Sequence, residues 1–209
     1  MLGNEEYMSK VEQAYVEAVS MLEDMSCWEV YESCDELAAY IRRSPSGLDI
    51  LKIEFFLDRS PEQVLNYIYT NLGDLHNTLN KDIVAEEGIL ERFDGNSRIR
   101  FEVIDPKVPG VAPREILYFG IKMQVSEDVF SLIECSVNNE LRPIRHDMIR
   151  ADIIYALHLC EKLNNQCHVV SIGYADPKGS VPKAIVNFGL RKRVDFYKVF
   201  IKEILKNTN

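Results

Sequence analysis

Tyr7, Val11, Ala14, Ala18, Leu22 and Met25 recur every three or four residues, which places them on one face of a helix over about 4–25. Apolar and polar positions then alternate in short runs. Trp28–Tyr31, Leu37–Arg43 and Leu48–Leu57 read as strands, with Ser44-Pro45-Ser46-Gly47 as the turn between the last two. Ser60-Pro61-Glu62-Gln63 is a capping box with proline at the first helical position. It opens a helix that Gly73 is expected to end, with a further short helical stretch at 74–81. A series of strands follows at 83–93, 98–104, 115–125, 129–137, 146–161 and 166–176. Turn residues separate them at 94–97, 126–128 and 162–165, and a proline- and glycine-rich loop occupies 105–114.

The last third is the most explicit part. Asp176-Pro177-Lys178-Gly179 breaks the alternation, Ser180 suits an N-cap, and Pro182 falls in the first turn of a helix running to Lys206. From Val181 onward only Gly189 interrupts it. Such a helix is about 39 Å long, close to the ~40–45 Å diameter of a compact chain of this size. A helix that spans the molecule must lie across a curved sheet. Helices and antiparallel strands in this order make an α+β fold.

Three segments carry a family resemblance. Asp176, Lys178, Gly179, Val181, Pro182, Lys183, Ile185, Val186 and Asn187 resemble the D-x-K-G-x-(I/L/V)-P-K-x-(I/V)-(I/V)-N run of StAR-related lipid-transfer (START) domains, with Ser180 where the family often carries Trp. Pro113-Arg114-Glu115 resembles its P-R-D turn, and Ile149-Arg150-Ala151 its V-(I/V)-R-A stretch. The similarity spans about 28–206. It implies a helix-grip fold, in which a curved antiparallel β-sheet wraps around a long C-terminal helix. It also implies a lipid or sterol-like ligand in an internal cavity, gated by loop 105–114 and that helix. The family's cavity carboxylate falls at Glu102. Its arginine partner falls at Gly120, where this chain has no side chain, and Lys122 is the nearest substitute on the same face.

Composition narrows the function. The chain has 209 residues, 46% hydrophobic and 27% charged, enough for a single domain over 1–209 with a substantial core. No apolar run approaches the ~20 residues of a membrane span, and the first residues match neither a signal peptide nor a myristoylation start, so a cytoplasmic protein is expected. The five cysteines show no C-x-x-C spacing, so neither disulfides nor zinc are indicated, and no cofactor or metal is expected. A net charge of −9 argues against nucleic acid as a partner. That charge is uneven: between Glu5 and Glu36 every charged side chain except Lys10 is acidic, whereas the final helix is rich in Lys and Arg.

Catalytic patterns are absent. The four histidines are scattered, and no phosphate loop, H-E-x-x-H or G-x-S-x-G occurs; His158 reads as a hydrogen-bonded strand residue. Strand alternation puts Arg98, Arg100, Glu102 and Ile104 on one face, and separates Ile116-Tyr118-Gly120-Lys122 from its neighbours. Glu102 and Lys122 form either a cavity pair or a solvent-facing cross-strand pair. On the final helix, Val186, Leu190, Val194, Tyr197, Phe200, Ile201, Ile204 and Leu205 share an apolar side. Phe188 and Val199 project among Arg191, Lys198, Lys202 and Lys206 on the other, a pattern that suits an anionic membrane surface. The expected ligand contacts are therefore Glu102, Tyr118, Lys122, Arg150, Val186, Leu190 and Tyr197. The expected membrane contacts are Phe188, Arg191, Lys198, Val199 and Lys202. The leading expectation is a monomeric carrier that moves one lipid between membranes. The rivals are an aromatase/cyclase-type enzyme on the same scaffold, with Glu102, Tyr118 and Arg150 as acid–base groups, and an interaction module with a filled core.

Overall fold

The computed structural model describes residues 2–206, apart from the side chains of residues 2–4, 183, 184, 187, 188 and 190. One nine-stranded sheet organises it, in the order β1-β2-β3-β9-β8-β7-β6-β5-β4. The strands are β1 (Glu29–Ser33), β2 (Ala38–Arg43), β3 (Asp49–Leu57), β4 (Val84–Arg92), β5 (Ser97–Ile104), β6 (Arg114–Gln124), β7 (Val129–Ser136), β8 (Ile149–Leu163) and β9 (Gln166–Asp176). Neighbours are antiparallel. Beyond the end of β7, the long β8 also runs parallel to β6 from Arg114↔Ile149 to Ile116↔Ala151.

The sheet separates two cores. Helix α1 (Leu2–Glu23) covers one face, where Val11, Ala14 and Ala18 pack on Leu117, Phe119, Ile133 and Leu157. The two alanines let the helix approach the strands closely. Helices α2 (Pro61–Leu79) and α3 (Lys183–Lys206) cover the other face, joining Ile68, Phe200 and Ile204 to Phe55 and Val169. This is the helix-grip arrangement.

The sequence-based boundaries shift for identifiable reasons. The capping box at Ser60 and Gln63 is present, but α2 runs through Gly73 to Leu79. A Cβ at position 73 would lie 2.3 Å from Arg100 Nη1. Glycine there makes room for a buried guanidinium rather than ending the helix. Helix α3 starts at Lys183, and the carbonyl of Pro182 accepts from Ile185 N–H at 2.9 Å and Val186 N–H at 3.3 Å. Pro182, not Ser180, is therefore the last residue before the helix. At its far end Leu205 is 43% exposed and leaves the apolar side. A register shift between Ile153 and Tyr155 splits residues that simple alternation puts on one face. Tyr155 and Leu157 join the α1 core, while Ala156 and His158 turn toward α3.

Candidate functional site

Between the inner face of the sheet and the first half of α3 lies a cavity of about 430 Å³. Leu51, Ile53, Ile116, Ala151, Ile185 and Val186 give it an apolar wall, and Pro106 and Val111 of the 105–113 loop close one side. Gly173 and Gly189 also line it, and a Cβ added at either meets nothing within 4 Å. These two glycines widen the space where β9 and α3 face it.

Polar and charged residues interrupt this wall, among them His76, Glu102, His158, Ser171 and Arg193. His158 Nδ1 is 2.8 Å from Ser171 Oγ and 3.4 Å from the Tyr197 hydroxyl. Burial, and secondarily the charge of Arg193, push the imidazole pKa down to about 3, so the ring is neutral at physiological pH. Arg193 lines the cavity from α3, its guanidinium 5.3 Å from the Tyr197 ring centroid. Glu102 lies 3.0 Å from His76 Nδ1 of α2.

Of the sequence-predicted ligand contacts, Glu102, Val186 and Tyr197 are in the wall; Leu190, like the expected membrane contact Phe188, lies outside the described side chains. Three others are placed elsewhere. Lys122 donates to Asn66 Oδ1 at 2.6 Å and sits over the Tyr69 ring, so His76 and not Lys122 partners Glu102. Arg150 donates to Glu115 Oε2 at 2.7 Å and to the Arg142 carbonyl at 3.0 Å, since a carboxylate as deeply buried as Glu115 needs cations beside it. Tyr118 is buried away from the wall; burial, then the nearby Glu134 carboxylate, raises its phenol pKa. The missing arginine also has a geometric reason. Arg98, Gly120 and Glu134 stand side by side across β5, β6 and β7, and a Cβ at position 120 would be 3.0 Å from Glu134 Cγ. Glu134 fills the space above Gly120, and burial raises its carboxyl pKa.

Sequence reasoning passed over His76, Ser171 and Arg193 as site residues, and took His158 only as a strand residue. A signal existed for two of them. Counting back from the Leu163↔Gln166 end of the β8–β9 hairpin brings His158 opposite Ser171. For Arg193, the helical spacing from Val186 and to Tyr197 is the cue.

A protein-family model described as START domain matches residues 8–205. The chain belongs to the START domain family. Solved structures agree on the fold. Human StAR-related lipid transfer protein 5 superposes with a TM-score of 0.79 at 16% identity, over 98% of this chain and 99% of that one. Human STARD10 gives 0.71 at 19% identity, over 93% of this chain and 80% of that one. A STAR-related lipid transfer protein from Xanthomonas axonopodis gives 0.68 at 15% identity, over 86% and 99%. A search of curated proteins returned no match.

In this START domain the three motif segments meet at the cavity wall. Arg114 Nε and Nη2 donate to the carbonyls of Pro177 and Lys178 at 3.3 and 3.2 Å, fastening β6 to the turn that precedes α3. Lys178 Nζ lies 2.5 Å from Asp152 Oδ2. Lys178 and Gly179 both take positive φ in that turn. On the outer side of α3, Arg191 is exposed and Val199 is 36% exposed. Lys198 instead bonds to Glu32 of β1, and Lys202 lies 3.8 Å from Glu36. Two carboxylates of the acidic early segment thus pair with two lysines of the basic helix.

Proposed function

We propose that this protein, acting as a single START unit over 1–209, binds one lipid or sterol-like molecule and transfers it between membranes. The observation that carries the reading is the cavity under α3, whose surface is mostly apolar. The similarity in fold to lipid transfer proteins supports it. Transfer needs no covalent chemistry, because it exchanges apolar surface between bilayer and cavity at ~25 cal/mol per Å². Loop 105–114 and the first turns of α3 open as a gate, Arg114 keeping the turn at 177–178 anchored while they move. Phe188, Arg191 and Val199 touch an anionic membrane surface; Lys198 and Lys202, held by Glu32 and Glu36, contribute less to it. We place the carrier in the cytoplasm as a monomer. No described helix is long and apolar enough to cross a membrane.

The aromatase/cyclase reading is disfavoured by the dispersal of its acid–base set: Tyr118 and Arg150 stand outside the wall that holds Glu102. Native mass spectrometry after incubation with mixed-lipid vesicles tests the proposal. One lipid per chain, followed by delivery to acceptor vesicles, is expected. A chain that takes up no lipid overturns carriage.

A further inference from the structure

The imidazole of His158 is 2% exposed, and its Nε2 has no hydrogen-bond partner among the described residues. Buried polar atoms in proteins nearly always find partners. This one belongs to a residue of the cavity wall, turned there by the register shift in β8. The other ring nitrogen is occupied. Ser171 Oγ and the Tyr197 hydroxyl both lie at Nδ1, and each hydroxyl must donate its hydrogen somewhere. Nδ1 is the contact both hydroxyls share, and we take it as the acceptor of the shorter one, from Ser171. A neutral ring that accepts at Nδ1 carries its hydrogen on Nε2.

We infer that His158 is a polar anchor of the cavity, alongside the Tyr155 hydroxyl and Glu102 Oε1, which also lack a hydrogen-bond partner among the described residues, its Nε2–H donating to a hydroxyl or carbonyl oxygen of an uncharged, compact lipid. The inference rests on the carriage reading and goes beyond it by naming the side chain that holds the ligand's oxygen. The groups facing His158 are Ser171 on β9, Tyr197 and Arg193 on α3, and Leu132 opposite it on β7. Arg193 is the one cation among them. Its guanidinium lies over the Phe196 and Tyr197 rings and interacts with the Glu134 carboxylate, which partly offsets its charge. The cavity, at about 430 Å³, is near the low end of the ~300–1,000 Å³ common for ligand sites. Such a space suits one rigid body better than two long acyl chains. A donor that meets a ligand oxygen also gives discrimination, since a ligand lacking that oxygen leaves the donor unpaired.

The test compares a fluorescent sterol, its 3-deoxy analogue and phosphatidylcholine on wild type and His158→Phe. Wild type should bind the sterol at least about tenfold more tightly than the deoxy analogue, the worth of one good hydrogen bond. His158→Phe should lose that preference by weakening sterol binding alone. An equal loss for both ligands would mean a merely structural role and overturn the anchor. Tighter binding of phosphatidylcholine than of either sterol, unaffected by the substitution, overturns it in favour of Arg193. Sterol binding without discrimination removes the anchor but leaves carriage standing, whereas no binding of any lipid removes both. Should His158→Phe fail to fold, ¹⁵N NMR of the wild-type ring decides. A protonated Nε2 whose proton shifts on sterol addition supports the anchor; an unresponsive or unprotonated Nε2 overturns it.

Discussion

His76 Nδ1 on α2 lies 3.0 Å from Glu102 Oε1 on β5, so this wall carboxylate faces a helix side chain rather than Lys122 of the neighbouring strand. The contact is a full ion pair only while the imidazole is protonated. It also depends on α2 continuing past Gly73, since a helix ending there would not carry His76 to the cavity.

The first prediction separates the two candidate partners. His76→Ala should change lipid affinity severalfold, because it leaves a wall carboxylate unpaired. Lys122→Ala should leave affinity unchanged and cost about 1 kcal/mol of stability through its bond to Asn66. Lipid titrations and chemical denaturation of both variants provide the check. The reverse ranking would restore Lys122 as the partner.

Stability should depend on His158 in a defined pH window. Unfolded, the ring takes up a proton near its ordinary pKa of 6.5; folded, it does so only near 3. Between those values the unfolded chain holds the extra proton, so stability falls as the pH drops below about 6.5. The slope from this group is at most ~1.4 kcal/mol per pH unit. Denaturation between pH 4.5 and 7 should show His158→Phe with a slope shallower by up to that amount. Equal slopes in the two proteins would mean that the ring titrates normally.

Much of the fold was legible because its signals are local. The Ser60 cap, the Asp176–Gly179 turn and the strand alternation each act within a few residues, and they appear in the structure close to their expected positions. What was not legible depends on distant neighbours. Nothing adjacent to Gly73 announces that Arg100 packs over it. Alternation gave the inward faces of β5 and β6 but could not decide between Lys122 and His76, because that choice turns on where α2 crosses the sheet. The β8 register shift, which separates Ile153 from Tyr155, likewise follows from pairing with β9. The expectation of Arg150 as a ligand contact fails for a related reason: its partner, Glu115, becomes a neighbour only through the parallel β6–β8 contact.

Filling the cavity should uncouple binding from stability. A Cβ at Gly173 meets nothing within 4 Å, and valine suits a strand better than glycine does. Gly173→Val should therefore keep or raise the melting temperature while weakening lipid uptake about tenfold or more, as it occupies ligand space. Native mass spectrometry alongside thermal melting would show this. Undiminished uptake would place the ligand elsewhere.

The last prediction concerns the outer face of α3. Lys198 is bonded to Glu32 and lies 3.8 Å from Asp195, and Lys202 lies 3.8 Å from Glu36. Reversing both lysines to Glu sets like charges against β1 and the turn that follows it. The expected cost is about 1 kcal/mol, as the pairs are near the surface, and it should shrink as salt is added. Exposed Arg191 has no ion-pair partner among the described residues and sits on the half of α3 that borders the cavity. Arg191→Glu should leave stability within ~0.5 kcal/mol yet slow transfer to anionic vesicles more than the double reversal does. Transfer rates to neutral and anionic acceptors, measured on both variants, distinguish the cases. If the double reversal slows transfer more, with its stability restored by salt, then Lys198 and Lys202 leave their acidic partners to meet the membrane.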